Sequence, residues 1–527
     1  MKPLQNPAVT AFGATTIIFM VWLAPLASGV HETLFTFPGS VVAVVVPLYI
    51  GFFVTWLGWF LLLTLSERHR TLKTWVWLAL AVILVRELLE ATYALAPTND
   101  PLRDPPLPST HVNIVYALCM VVMVATLLML RRRAPKLVHG TKLLGTILLG
   151  FVALSGLWTL VKVTSYTWQA RNLNNTGPLH HPVASAATPT GRRIVWILFD
   201  ELSYRQVYQH RFPGLKLPAF DRLAQESTVF TDARPEGNLT LRIIPALLSG
   251  FPDNDIKMPV AGAPLFVRSP QSPKWQQFDP QQTVFQDALS AGYSTAVAGW
   301  IFPYCRLLNT ALDHCVPAAP GELVARMNTT QSVGWNLNRL FTQPLKDRLG
   351  SLRLIKRDSA QYIDTPDVLY QNLLSAAKAD IDDPSINFLY FHMNIPHPKG
   401  FYNRDTAQFE VNRTYIDNLA LCDRYLAEVR AELERTGSWD NTDLVIMGDH
   451  SWRVYGWSKD AHWTDEEEKA SDGAKFDDRP GYIVHLAGQT TPARIDTPYE
   501  AIRTRALMDN LIQGKIVTPE QLSAWAK

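Results

Sequence analysis

The sequence predicts two unlike parts: a multi-pass α-helical membrane domain of five spans over residues 1–164 and, after a linker over 165–193, an α/β domain with a mainly parallel central sheet over 194–527. Three observations carry this reading. Val9–Val30, Val41–Leu65, Val112–Leu130 and Leu143–Val161 hold no charged residue, and each crosses roughly 30 Å of hydrocarbon at about 1.5 Å per residue. From Ile194 onward, short apolar runs alternate with helix-type periodicity and turn residues. The mean hydropathy of +0.01 is what an apolar and a polar part give when summed.

Composition excludes several classes. The 527 residues carry 49 Lys and Arg against 47 Asp and Glu, a formal charge of +2, and no basic stretch is interleaved with aromatics, so a nucleic-acid partner is not expected. Four cysteines without a CxxC pair exclude a disulfide-built scaffold and a structural zinc site of that type.

A fifth span, Trp75–Leu95, is apolar except for Arg86, Glu87 and Glu90. Arg86 and Glu90 share a helix face at i, i+4, which suits an interfacial ion pair or a contact to a lipid headgroup. Cations orient the bundle. Lys2, Arg68, Arg70, Lys73, Arg131, Arg132, Arg133, Lys136 and Lys142 fall on one side and Arg103 on the other. The N-terminus is therefore expected in the cytoplasm, and five spans deliver the rest of the chain to the outer face of a bacterial inner membrane. The first span has an alternative as a cleaved signal peptide, because Ala27–Gly29 mimics a cleavage site.

In the second part, Ile194–Phe199 is a buried-strand run ending in Asp200 and Glu201, Gln282–Ala291 is helix-like, and Tyr293–Ala298 is a strand. Ile386–Phe391 is a strand ending at His392, Tyr415–Arg435 a long amphipathic helix, and Asp443–Met447 a strand ending in Gly-Asp-His. Ligands of such sheets sit at the carboxyl ends of strands. Asp200, His392 with His397, and Asp449 with His450 thus bring metal-type side chains to one edge. Cys305 and Cys315, ten residues apart in a domain outside the cytoplasm, are expected to form a disulfide, with Cys119 and Cys422 free and buried.

The stretch Lys216–Thr231, with its Pro218, Asp221-Arg-Leu and Phe230-Thr, resembles the segment that follows the first metal strand of sulfatases, and Asp417–Asp423 with Gly437–His450 resembles their closing helix and metal strand. The resemblance runs from about Ile194 to Gly488. It identifies the chain as a member of the alkaline phosphatase superfamily, sulfatase branch. Combined with five N-terminal spans, it is similar to the membrane phosphoethanolamine and glycerol-phosphate transferases.

That resemblance implies a nucleophile. Leu247-Leu-Ser-Gly250 is similar to the family's Leu-Leu-Thr-Gly, and ten places before Gly250 stands Thr240, where the family keeps its attacking residue. A threonine hydroxyl needs a metal to become an alkoxide at neutral pH, and the resemblance implies that Asp200, Asp449 and His450 hold that metal. Formylglycine-type sulfatases have Cys or Ser there, then Pro and Arg two and four places on. Here Arg242 and Ile244 follow Thr240, so a phosphothreonine intermediate is favoured over formylglycine chemistry. Thr240 as N-cap of a Leu241–Leu248 helix is compatible with that role.

His397 and His462, twelve residues after His450, are expected to ligate a second zinc or contact the transferred phosphate, with His392 either sharing that role or structural. Glu201 is a candidate second-metal ligand or a cap, and Arg242 a phosphate clamp or a surface residue. The mixed ligands suit one or two zinc ions, with manganese or magnesium as alternatives. The function expected is transfer of a phospho-substituent from a phospholipid donor to an envelope glycan or lipid. The alternatives are a sulfatase-like hydrolase, either a phosphodiesterase or a sulfuric ester hydrolase, and a non-catalytic envelope scaffold.

Overall fold

A computed structural model describes residues 6–28, 41–69, 71–80, 129, 135–170, 191–252, 255–257, 265–269, 271–318, 331–351, 366–460 and 462–527. The N-terminal part contains three long apolar helices, α1 (Pro7–Ser28), α2 (Val41–Ser66) and α3 (Pro135–Ala170). Within them, Val42–Ser66 and Leu143–Ser165 are long and apolar enough to cross a membrane. Gly13 of α1 lies against the Leu149 carbonyl of α3, and Gly156 of α3 against Thr16 of α1, with no room for a Cβ at either. Small residues permit this close approach where helices gain little from hydrophobic burial. Residue numbers rise together along the contact, so α1 and α3 are parallel. Trp56 Nε1 of α2 donates to Ala8 O at 3.1 Å, and Tyr49 Oη donates to Leu160 O at 3.0 Å, so α2 runs against both.

The third expected span is helical over residues 71–80, and the remainder of Trp75–Leu95 lies outside the described residues, as do nearly all of Val112–Leu130, Arg86, Glu87, Glu90 and Cys119. The expected linker begins later than the sequence suggested. No Gly or Pro interrupts Val161–Ala170, and α3 continues through Ala170.

The second part follows as β1 (Arg193–Asp200), α4 (Pro218–Gln225), β2 (Thr228–Phe230), α5 (Thr240–Ser249), α6 (Val284–Ser290), β3 (Thr295–Trp300), β4 (His314–Ala318), α7 (Val333–Ser351), α8 (Pro366–Asp382), β5 (Phe388–Pro396), α9 (Tyr415–Arg435), β6 (Thr442–Gly448), α10 (Val454–Trp457), β7 (Tyr482–His485), β8 (Ala493–Ile495) and α11 (Thr504–Ile512). Eight strands form one sheet in the order β8-β2-β7-β6-β1-β5-β3-β4. Every neighbouring pair is parallel except those of β7, which is antiparallel to β6 and β2.

β1 shows why its sequence is an unbroken apolar run. Val195, Ile197 and Phe199 enter the core with Phe220 of α4, Leu373 of α8 and Leu419 of α9. Ile194, Trp196 and Leu198 enter the opposite core with Ile244 of α5, Phe285 of α6 and Leu507 of α11. Both faces are covered by helices, so neither strand parity is polar. α9 keeps the expected bounds and starts at a capping box in which Thr414 and Asp417 satisfy each other's backbone N–H groups. One segment reaches back to the apolar helices: Asn336 Nδ2 of α7 donates to Ala43 O of α2 at 2.9 Å, and Leu340 packs on Gly51.

Candidate active site

The central strand places the candidate residues. In register, Phe199 lies opposite Gly448 of β6, and Asp200 opposite Pro396 of β5. The residues that follow, Glu201, Asp449, His450 and His397, therefore emerge at one sheet edge. At Glu201 the backbone turns sharply, with φ +69°. That left-handed conformation is uncommon for a side chain of this size. It lets the adjacent Asp200 and Glu201 both be buried at the strand end, with the Glu201 N–H donating to Asp449 Oδ1 at 3.0 Å.

Asp200, Asp449 and His450 are buried, and their ligand atoms lie within 4.8 Å of one another. His450 Nδ1 is 2.9 Å from Ser451 O. A carbonyl can only accept, so Nδ1 carries the proton and a neutral ring presents a lone pair at Nε2. That lone pair is 3.2 Å from Asp449 Oδ2, 4.0 Å from Asp200 Oδ1 and 3.5 Å from Thr240 Oγ1. Asp449 Oδ2 and Asp200 Oδ1 have no hydrogen-bond partner. Acceptors that face one another this closely, buried and unpaired, are reconciled by a cation between them. Burial, followed by the neighbouring Asp449 charge, pushes the Asp200 carboxyl well above the usual range, with Arg453 only partly offsetting this. The residues fit a divalent metal.

Thr240 is the first residue of α5. Leu239, in extended backbone, occupies the cap position without a side-chain cap, so the threonine hydroxyl is not spent on capping and faces His450. Arg242, two residues on and on a different face of the helix, is 46% exposed and pairs with Asp255 at 3.4 Å.

The expected second-metal residues divide. By distance, Asp200, Glu201 and His397 also form a group able to hold an ion. The donors around Glu201 oppose it. Glu201 Oε1 accepts from Arg453 Nε at 2.8 Å and from Arg453 Nη2, Oε2 accepts from the Arg453 backbone N at 3.0 Å, and Trp457 Nε1 reaches both oxygens at 3.1 Å. Burial alone would raise the Glu201 carboxyl, but the Arg453 guanidinium and backbone N–H hold it below the usual range. A second ion would compete with a guanidinium already in place, so Glu201 serves as the partner of Arg453. His397 Nε2 lies 3.9 Å from Glu201 Oε1, its ring between the edges of Trp300 and Trp457. Burial lowers its pKa to about 4, which keeps it neutral.

His392 is not at a strand end, because β5 continues through the buried Met393, Asn394 and Ile395 to Pro396. Trp300 Nε1 donates to its Nε2 at 3.1 Å and Tyr304 Oη lies 2.9 Å from its Nδ1, so both ring nitrogens are occupied, and burial pushes its pKa to about 3. His392 is a core histidine. His462 is 52% exposed and bonds Asp460 through Nδ1 at 2.9 Å, and it belongs to neither candidate metal group among the described residues. Cys305 and Cys315 form a disulfide, and Cys422 is free and buried. Sequence reasoning passed over Arg453, Trp457 and Trp300. The available signal was a lone arginine three places after His450, in the loop leaving the metal strand.

Strand-end carboxylates and a histidine converging on a hydroxyl at a helix start are the working parts of metal-dependent ester-cleaving enzymes, and the chain is an enzyme of this kind. Its residues 192–503, more than half of the chain, match the family model described as Sulfatase, and the chain belongs to that family. Similar solved structures include a sulfatase from Pseudoalteromonas, at 15% identity over 62% of this chain and 68% of that one, with a TM-score of 0.39. The lipoteichoic acid synthase LtaP from Listeria monocytogenes is 13% identical over 65% of this chain and 78% of its own, with a TM-score of 0.39. The phosphonate monoester hydrolase of Agrobacterium radiobacter is 12% identical over 61% and 73%, with a TM-score of 0.37. No curated protein sequence matches the chain.

Proposed function

We propose that the chain is a membrane-anchored transferase that moves a phospho-substituent, of phosphoethanolamine or glycerol-phosphate type, from a phospholipid to an envelope glycan or lipid through a phosphothreonine at Thr240. The observation that carries this reading is Thr240 Oγ1 at 3.5 Å from His450 Nε2, beside the unpaired oxygens of Asp200 and Asp449. In the first half-reaction Thr240 Oγ1 bonds to phosphorus, the bond from phosphorus to the diacylglycerol oxygen breaks, and the threonine proton ends on that oxygen. In the second, an acceptor hydroxyl bonds to phosphorus, the Thr240 ester breaks, and the acceptor's proton returns to Thr240. A divalent metal held by Asp200, Asp449, His450 and Thr240, zinc first and manganese or magnesium as alternatives, supplies positive charge that favours the ionised hydroxyl. The first turn of α5, which starts at Thr240, favours negative charge at that residue. Threonine cannot be converted to formylglycine, which speaks against the sulfatase chemistry that depends on that aldehyde.

Five spans, with the N-terminus in the cytoplasm and the domain over 194–527 on the periplasmic side of the inner membrane, would hold the site beside donor headgroups and raise their effective concentration. The parallel α1 and α3 and the reversed α2 support this topology. Incubating the full-length protein with membrane phospholipid and analysing the Thr240 peptide by mass spectrometry should show a phospho-adduct that Thr240→Ala removes, with turnover falling at least a thousandfold. Full activity in that variant would reject the proposal. A second reading, transfer to water, is favoured by the family match itself; product analysis with and without an acceptor separates the two.

A further inference from the structure

We propose that α7, a helix of the second part, is half-inserted in the bilayer beside α2, held there by Asn336 and turning Phe341 to the acyl chains of the leaflet it enters. The inference goes beyond the transferase reading and rests on one part of it, the crossing of the membrane by α2.

A proline sets the docking point. α2 contains Pro47 in its interior, and a proline has no N–H to give the carbonyl four places earlier, which here is Ala43 O. Ala43 is buried, so a neighbouring helix rather than water has to supply the donor. Asn336 of α7 supplies it: the side chain is fully buried, and Nδ2 donates to Ala43 O at 2.9 Å and to Ser332 O at 3.3 Å. One turn on, Leu340 fills the space that Gly51 leaves on α2, next to Phe19 of α1.

Depth follows from the same contacts. Val42–Ser66 is 25 residues long, about 37 Å of helix against roughly 30 Å of hydrocarbon. With that span centred, Ala43 lies at the hydrocarbon edge, and Gly51, about 12 Å further along, lies well inside it. Leu340 is therefore at the depth of acyl chains. Numbers rise together from Asn336 and Ala43 to Leu340 and Gly51, so α7 enters from the side on which α2 begins. Its residues suit that path. Arg339 is buried, and its guanidinium carbon lies 4.8 Å from the centre of the Trp335 ring, one turn back toward the edge. A long cation in an apolar layer snorkels in that direction, and tryptophan favours the interface. Phe341 is 45% exposed and Phe53 of α2 58%, and at this depth lipid covers both. Lys346, Asp347 and Arg348 end the apolar run within α7, so it does not go on to cross.

The test uses the full-length protein in vesicles of phosphatidylethanolamine and phosphatidylglycerol, with Cys119→Ser and Cys422→Ala as background. A nitroxide is attached at Phe341→Cys, at Phe53→Cys on α2 and at Val411→Cys, an exposed position of the second part, and its collisions with oxygen and with an aqueous nickel chelate are compared. Oxygen concentrates in hydrocarbon and the chelate is excluded from it. The ratio of the two rates at Phe341 should exceed that at Val411 by about tenfold or more and lie within about threefold of that at Phe53. A ratio at Phe341 like that at Val411 overturns the proposal: with Phe53 shielded, the placement of α7 alone fails, and with Phe53 open to the chelate, the membrane crossing fails as well. The bond to Ala43 has its own readout. Asn336→Ala should lower the melting temperature, and by less than half as much in a Pro47→Ala background, where position 47 regains the missing N–H. Equal losses in the two backgrounds overturn the role given to Asn336.

Discussion

Replacing Asp200 by Asn should stabilise the protein in chelator and destabilise it in metal. The ligand atoms of Asp200 and Asp449 lie within 4.8 Å of each other and are buried. Two unit charges at that distance repel by about 3 kcal/mol at an effective dielectric near 20. The Asp200 carboxyl escapes part of this by holding its proton, since burial and Asp449 raise its pKa. Removing the charge is therefore worth roughly 1–2 kcal/mol in the metal-free protein. A metal at about a hundred times its Kd stabilises the folded state by about 2.7 kcal/mol, most of which the weaker amide ligand forfeits. The variant should thus melt a few degrees above wild type with EDTA and a few degrees below it with saturating zinc or manganese, followed by tryptophan fluorescence in detergent. Equal destabilisation in both conditions would refute the reasoning and make Asp200 an ordinary structural acceptor.

His314 bonds the buried Asp380 carboxyl, which lifts its pKa above 6.5 against the opposing effect of its partial burial. A group raised in the folded state contributes stability fully below its unfolded pKa and loses it as pH climbs through the folded one. Urea midpoints should therefore fall from pH 6 to pH 8 more steeply in wild type than in His314→Gln. Replacing Cys305 and Cys315 by Ser opens the ten-residue loop between them, which should cost about 2–3 kcal/mol of stability measured by denaturant unfolding. A loss below a few tenths would show that the loop is held by its packing instead.

How much of this was legible follows residue by residue. Ile194–Phe199 and Leu444–Met447 are apolar at both parities, which only strands covered on both faces require, so the carboxylates after them mark the sheet's carboxyl edge. The structure gathers Asp200, Asp449, His450 and Thr240 there. His392 misled because a histidine after an apolar run looks like a strand end; only its partners Trp300 and Tyr304, more than eighty residues earlier, reveal a core position. His462 was placed by spacing alone, and spacing does not specify where a loop side chain points. Arg453 lies in an aperiodic turn, and its role exists only through the left-handed backbone at Glu201 that turns that carboxylate toward it.

The contact of Asn336 and Leu340 with Ala43 and Gly51 has a kinetic meaning. A domain joined to its anchor at one place in its sequence samples a range of heights above the bilayer, and a second attachment, through α7 on the side of α2, would narrow that range. Under the proposed transfer from a phospholipid, encounters with donor would take place in a plane, and velocity would follow the mole fraction of donor among neighbouring lipids rather than its amount per volume. Diluting the donor with inert detergent at constant bulk concentration would slow such an enzyme, and extra aqueous volume would not.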